Sequence, residues 1–263
     1  MMGPAHSLSG AAAWLGLGAA FAGAGHAMPW PVLVAGSLIC AGAALAPDLD
    51  HKSATISRAF GPLSRGLCGV TDKLSHAVYS ATRKPGDPRR SGGHRTLTHT
   101  WVWAVLIGAG FSTLAVAGGR WAVLGILFVH MVLAVEGLLW RMARVSSDVL
   151  VWLLGATSAW ILAGVLHQPG NGSHWLFTGP GQEYLWIGLP IVLGALVHDV
   201  GDALTVSGCP ILWPIPVGRK RWYPVGPPRA IRFRAGSWVE LRVLMPAFML
   251  LGGAGCLGAL GVW

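Results

Sequence analysis

PVLVAGSLICAGAALAPDLDH, Pro31 to His51, has no charged side chain up to Pro47 and then sets Asp48, Asp50 and His51 within four positions. A helix needs about 17–25 apolar residues to cross a bilayer, so Pro31–Pro47 is long enough to span. Carboxylates are expensive beside lipid and are kept there mainly for function. The segment therefore reads as a membrane helix that ends in a knot of metal-type ligands.

The rest of the chain agrees with a membrane setting. Of 263 residues, 53% are hydrophobic and only 11% charged, against about 25% charged in an ordinary soluble domain. Mean hydropathy is +0.57. The four cysteines, Cys40, Cys68, Cys209 and Cys256, stand singly, so neither a disulfide framework nor a CxxC zinc site is expected. At the N-terminus MMGPAHSLSGAAAWLGLGAAFAGAGHA lacks a Lys or Arg ahead of its apolar stretch. That argues for a retained helix over a cleaved signal peptide.

Seven hydrophobic runs are read as spans, at about 8–26, 30–47, 100–118, 121–140, 148–166, 184–201 and 241–261. The expected fold is an all-α, polytopic membrane bundle forming one domain over 1–263. With seven alternating spans, every Lys and Arg except Arg120 falls on one side, in segments 52–95, 141–144 and 219–242. The positive-inside rule makes that side the cytoplasm, with the N-terminus inside and the C-terminus outside. This distribution accounts for the net charge of +9 without a nucleic-acid partner.

Two segments on the basic side have organisation of their own. Within the insertion 52–95, residues 53–82 place Ile56, Phe60, Leu63, Leu67, Val70, Leu74 and Val78 at three- and four-residue steps. This predicts an amphipathic helix, broken near Gly61-Pro62, lying along an anionic membrane face. The loop 205–240 has strand and turn composition and predicts a short β-hairpin. Ser237 and Glu240 read as a capping box opening the last span.

The alternation also brings polar residues to one surface. His6 precedes span one. Asp48, Asp50 and His51 end span two, His94 and His99 precede span three, and His198, Asp199 and Asp202 end span six. His198 and Asp202 are i, i+4 and share a helix face. Asp48 and Asp50 flank Leu49 after Pro47, which suits convergence from a turn. His94 and His99 are offset by about 140° on a helix and fit a loop-to-helix junction better. Imidazole with carboxylate suits zinc, manganese or iron, whereas calcium prefers oxygen alone. So many ligands suggest two ions rather than one, the arrangement that clamps both attacking and leaving oxygens in phosphoester cleavage. Glu136 ends span four within reach of the site, with no role assigned. His130, deeper in that span, reads as a packing histidine, and His26, His76, His167 and His174 as interfacial residues.

An N-terminal histidine, PDLDH, GHRTLTHT and HDVGDALTVSGCPILWP together resemble the YdjM-like family of inner-membrane, predicted metal-dependent hydrolases, also called the DUF457 group. The likeness covers residues 6–51, 94–100 and 198–214 and, more loosely, FRAGSWVE. That family is in turn similar to the helical zinc-dependent phospholipases C and P1-type nucleases. Carried over by motif, the implied ligands are His6, Asp48, Asp50, His94, His99, His198 and Asp202. Where the family often has HRGxTHS this chain has Thr96 and Thr100, and where it often has HLLLD this chain has HDVGD, with an extra acid at Asp199.

These readings predict a zinc-type hydrolase in which activated water attacks a lipid-linked or membrane-associated phosphoester. Asp48 or Asp50 would take the proton, and Arg95 would steady the phosphate charge. A transporter would instead gather its ionisable groups at the bilayer midplane. A scaffold with a purely structural metal would close every coordination position.

Overall fold

The computed structural model describes residues 1–262. Its long helices are α1 (Gly3–Gly23), α2 (Trp30–Ala43), α3 (Pro62–Thr82), α4 (Trp101–Leu138), α6 (Asp148–Leu166), α7 (Gly188–Ala203) and α8 (Met245–Ala259), with a short α5 at Trp140–Val145. Local chemistry sets several of the starts. Prolines occupy the first turns of α1, α2, α3 and α8, where a missing N–H costs nothing. Thr100 caps α4 by accepting from the Trp103 N–H at 3.2 Å, and Ser147 caps α6 through Leu150 at 3.3 Å.

Close helix approach comes from small residues. Gly10 of α1 and Gly194 of α7 both face the Cys40 carbonyl of α2, and Gly108 of α4 faces Gly188 of α7. Trp14, Ile39, Leu127, Trp186 and Ile191 fill the space between these helices.

The fold corrects the span count. Among the described residues, five segments rather than seven are long and apolar enough to cross a membrane: Trp30–Asp50, Trp101–Leu138, Asp148–Leu166, Leu185–Ala203 and Glu240–Ala259. The run at 8–26 lies mostly in α1, a full-length helix diluted by Gly, Ala and Ser. The runs at 100–118 and 121–140 belong to one helix, α4, broken where Gly119 takes φ 51° and ψ −143°. That break reverses the chain. The rings of Phe111 and His130 lie 5.5 Å apart, whereas 19 positions along a straight helix span about 28 Å. Gly137, near the end of α4, packs against Ser7 at the start of α1.

The expected hairpin in 205–240 is absent. Among the described residues that loop has only isolated bridges, Thr205 to Phe233, Cys209 to Val225 and Val217 to Lys220. Pro214, Pro216, Pro224, Pro227 and Pro228 remove the N–H groups that a ladder requires. The capping box forms only in part. Glu240 is buried and accepts from Gly236 N at 2.7 Å and Met2 N at 2.6 Å, but the Ser237 hydroxyl has no partner among the described residues.

The amphipathic helix is α3, starting at Pro62 after a Gly61 with φ 59°. Its apolar stripe, Leu63, Leu67, Val70 and Leu74, is exposed, while Ser64, Cys68, Thr71, Ser75 and Tyr79 are buried. The small polar stripe faces inward because Gly93 packs directly on Asp72 and Ser75. Both ends of α3 are pinned near the first turns of apolar helices. Trp152 of α6 donates to the Ala59 carbonyl at 2.9 Å, and Tyr79 shares a cluster with Trp222 and Trp103 of α4.

Candidate metal centre

Four parts of the chain meet at one end of the bundle. His6 comes from the first turns of α1, and Asp48 and Asp50 from a 3-10 turn, Ala46–Asp50, that follows α2. His94 and His99 flank a second short turn leading into α4, and His198 and Asp202 lie on the last turns of α7. Pro47 starts the first turn tightly enough for both aspartates to reach the same space.

The centre is dense. His198 Nε2 lies 3.3 Å from His99 Nε2, 3.7 Å from Asp48 Oδ1 and 3.9 Å from Asp202 Oδ2. His99 Nε2 is 3.6 Å from Asp48 Oδ1 and 3.7 Å from Asp202 Oδ2. His6 stacks on His198 with centroids 3.8 Å apart and an interplanar angle of 17°. Its Nε2 is 3.4 Å from Asp202 Oδ1.

Donor atoms fall into two sets, each mutually within 4.8 Å: His6, His198 and Asp202, and Asp48, His94 and His99. Two imidazole nitrogens at 3.3 Å, ringed by carboxylates, are what a shared cation would hold together. Both nitrogens of the buried His6 lack a hydrogen-bond partner, although buried polar atoms normally have one. His198 donates from Nδ1 to the Ala44 carbonyl at 2.8 Å. That fixes the tautomer and leaves the Nε2 lone pair facing the cluster, the usual arrangement behind a ligating histidine. The residues present fit a divalent metal.

His99 is wholly buried, which works against its charged form. Hydrogen bonding to Asp48 and the nearby carboxylates of Asp50 and Asp199 outweigh burial and raise its pKa to about 9. Metal capture must displace that proton, so affinity rises with pH through the neutral range.

Asp50 is hydrogen-bonded within the site. Buried at the back of the cluster, it accepts from His94 Nδ1 at 2.8 Å and from the Thr98 hydroxyl at 2.6 Å. It orients His94 and stands outside both donor sets. Arg95 is also committed elsewhere. Its Nη2 lies 2.6 Å from Asp202 Oδ2, and Nη1 reaches Thr205 Oγ1 and the Gly208 carbonyl at 3.4 Å. Arg95 thus holds the Asp202 carboxylate, a candidate ligand, in place. The Met1 amine also bonds Asp202.

The remaining polar residues sort by position. His51 is exposed, its ring 4.4 Å from that of His94. Asp199 is buried with neither carboxylate oxygen hydrogen-bonded. His130 donates to the Ile126 carbonyl at 2.7 Å and packs on Phe111, as a packing histidine should. Glu136 lies outside the cluster, in an adjoining groove. Thr98 was missed by the sequence reading, and its only signal was its place between the histidines of GHRTLTHT. Thr96 and Thr100, the departures from the family pattern, make local bonds: Thr96 Oγ1 donates to the Gly93 carbonyl, and Thr100 caps α4.

Because Asp50 orients a ligand, Asp50→Asn is expected to weaken metal binding about 10–100-fold with little change in fold. Competition with a fluorescent chelator, alongside thermal melting, measures both.

Apolar helices with a pocket of imidazoles and carboxylates at one end define an integral membrane protein with a candidate metal site. The chain belongs to the YdjM inner membrane protein family, whose family model matches residues 1–255. No curated protein and no solved structure matches it.

Proposed function

We propose that this protein is a metal-dependent hydrolase that cleaves a phosphoester of a lipid or lipid-linked substrate. The observation that carries this reading is the convergence of His6, Asp48, His94, His99, His198 and Asp202 on one pocket at a helix-bundle end. The similarity to zinc-dependent phospholipases C and P1-type nucleases expected for the YdjM-like family would imply the same chemistry. Two or three divalent ions, zinc or else manganese or iron, would supply a Lewis acid for phosphoryl oxygens and lower the pKa of water.

The protein's own groups do the rest. His6, His198 and Asp202 form one ligand set, and Asp48, His94 and His99 the other. Asp48 has the most exposed carboxylate of the cluster, at 24%, and lines the mouth, so it is placed to accept a proton from water. Asp50 and Thr98 hold His94, the Ala44 carbonyl holds His198, and Arg95 holds Asp202.

The two halves of α4 run in opposite directions, which returns the chain to the site end at Gly137. That end carries the basic segments and faces the cytoplasm. The site opens beside anionic head groups that these segments attract.

The test is metal analysis followed by turnover. Protein purified in detergent is expected to carry at least one equivalent of transition metal and to hydrolyse bis(p-nitrophenyl) phosphate. His198→Ala is expected to lose both. A metal-free wild type that stays metal-free on reconstitution defeats the site assignment. Metal without turnover, on this probe or on phospholipid vesicles, favours a structural or transport role.

A further inference from the structure

The mouth of the centre is a cavity of about 430 Å³ whose walls include Asp48, His94 and Asp202. It does not end there. A second polar groove adjoins it, sharing Pro4, Thr55 and Arg58, and runs on past Arg65 to Glu136 and Asp148. Two guanidiniums line the combined channel beyond the ligands: Arg58 where the cavities meet, and Arg65 one turn into α3.

The arginines of the mouth differ in how they are used. Arg95 is closed onto Asp202 at 2.6 Å. Arg58 is exposed and, among the described residues, closes no ion pair, although it shares the groove with Glu136. No existing ion pair therefore has to be broken before it meets a ligand. A lone phosphate at the metal centre needs no cation that far along the channel. A substrate with a second anionic group does.

On the hydrolase reading proposed above, we infer that Arg58, backed by Arg65, is a subsite for a second anionic group beside the scissile phosphoester, so that the substrate class is a diphosphate or comparable dianionic phosphoester. Divalent ions held by the ligand residues would take the phosphoryl group to be cleaved, and Arg58 takes its neighbour by a charge-assisted, bidentate contact. Glu136 and Asp148 close the far end with negative charge, which limits how far an anionic chain extends.

Binding tests this without turnover. Metal-loaded, full-length protein in detergent is titrated with inorganic phosphate and with pyrophosphate, in wild type, Arg58→Gln and Arg65→Gln. Wild type is expected to prefer pyrophosphate by about tenfold or more, the scale of one charge-assisted pair. Arg58→Gln is expected to remove most of that preference and Arg65→Gln a smaller part, with bound metal unchanged in each. Chelation of ions by pyrophosphate is common to all three proteins and cancels in their ratios.

An undiminished preference in Arg58→Gln overturns the subsite, as does a wild type with no preference or with no binding of either anion. The two readings fail separately. Absent phosphodiester turnover with an Arg58-dependent preference removes the hydrolase and leaves the anion subsite. Good turnover with no such preference removes the subsite alone. Dolichyl-type or prenyl diphosphates against nucleoside diphosphates, offered in vesicles or in solution, then separate a lipid-borne from a soluble source.

Discussion

His99→Ala is expected to lower bound metal by at least one equivalent per chain and phosphodiester turnover by more than about a hundredfold, beyond the range for residues that merely orient ligands. His99 is the hub of the cluster. Its ring reaches Asp48, Asp50, Asp202 and His198, all within 3.3–3.8 Å, so its loss leaves His198 to bridge Asp48 and Asp202 without it. His26, exposed in the loop after α1, is the matched control, and His26→Ala should behave as wild type. Metal analysis and turnover on the same preparations decide the matter. A His99→Ala protein that keeps its metal and its rate refutes the centre as drawn.

The second large effect is in packing. Gly194→Val should destabilise the protein by about 1–3 kcal/mol or more, the usual cost of overpacking a filled contact. A Cβ at Gly194 would sit 2.5 Å from the Cys40 carbonyl and 2.9 Å from the Ala43 Cβ, so α7 and α2 must move apart. The same crossing carries the 2.8 Å bond from His198 to the Ala44 carbonyl, so metal affinity should fall along with stability. Gly125→Ala in α4 is the comparison, because a Cβ there meets nothing within 4 Å, and a helix-interior alanine gains a few tenths of a kcal/mol. Denaturation in detergent, read with metal affinity, separates the two variants. Equal stabilities would show that the α2–α7 contact has slack that the geometry denies.

Much of this was legible in the sequence because it depends on local chemistry. Uninterrupted apolar runs place helices wherever they occur. The i, i+4 step of His198 and Asp202 puts both on one face, and Pro47 bends the chain so that two aspartates share a turn. Alternation of spans brought His6, Asp48, His94, His99 and His198 to one end, and the fold assembles them there. The hairpin failed because strand-like composition in 205–240 does not weigh its six prolines, which withhold ladder donors. The span count fell to five because the runs on either side of Gly119 belong to one continuous segment, α4, that breaks at that glycine, and because α1, though of full length, is diluted by small residues.

The sequence by itself determined the membrane setting, the helical class and the identity of the ligand-type residues, since composition, periodicity and spacing act over a few neighbouring positions. Only the tertiary structure decided which of those residues face one another. Asp50 became a brace for His94, Arg95 a clamp on Asp202, and the apolar stripe of α3 turned outward while its small polar stripe packed on Gly93. Each assignment depends on residues dozens of positions apart, and such pairs are fixed by close packing between helices, which no local pattern encodes.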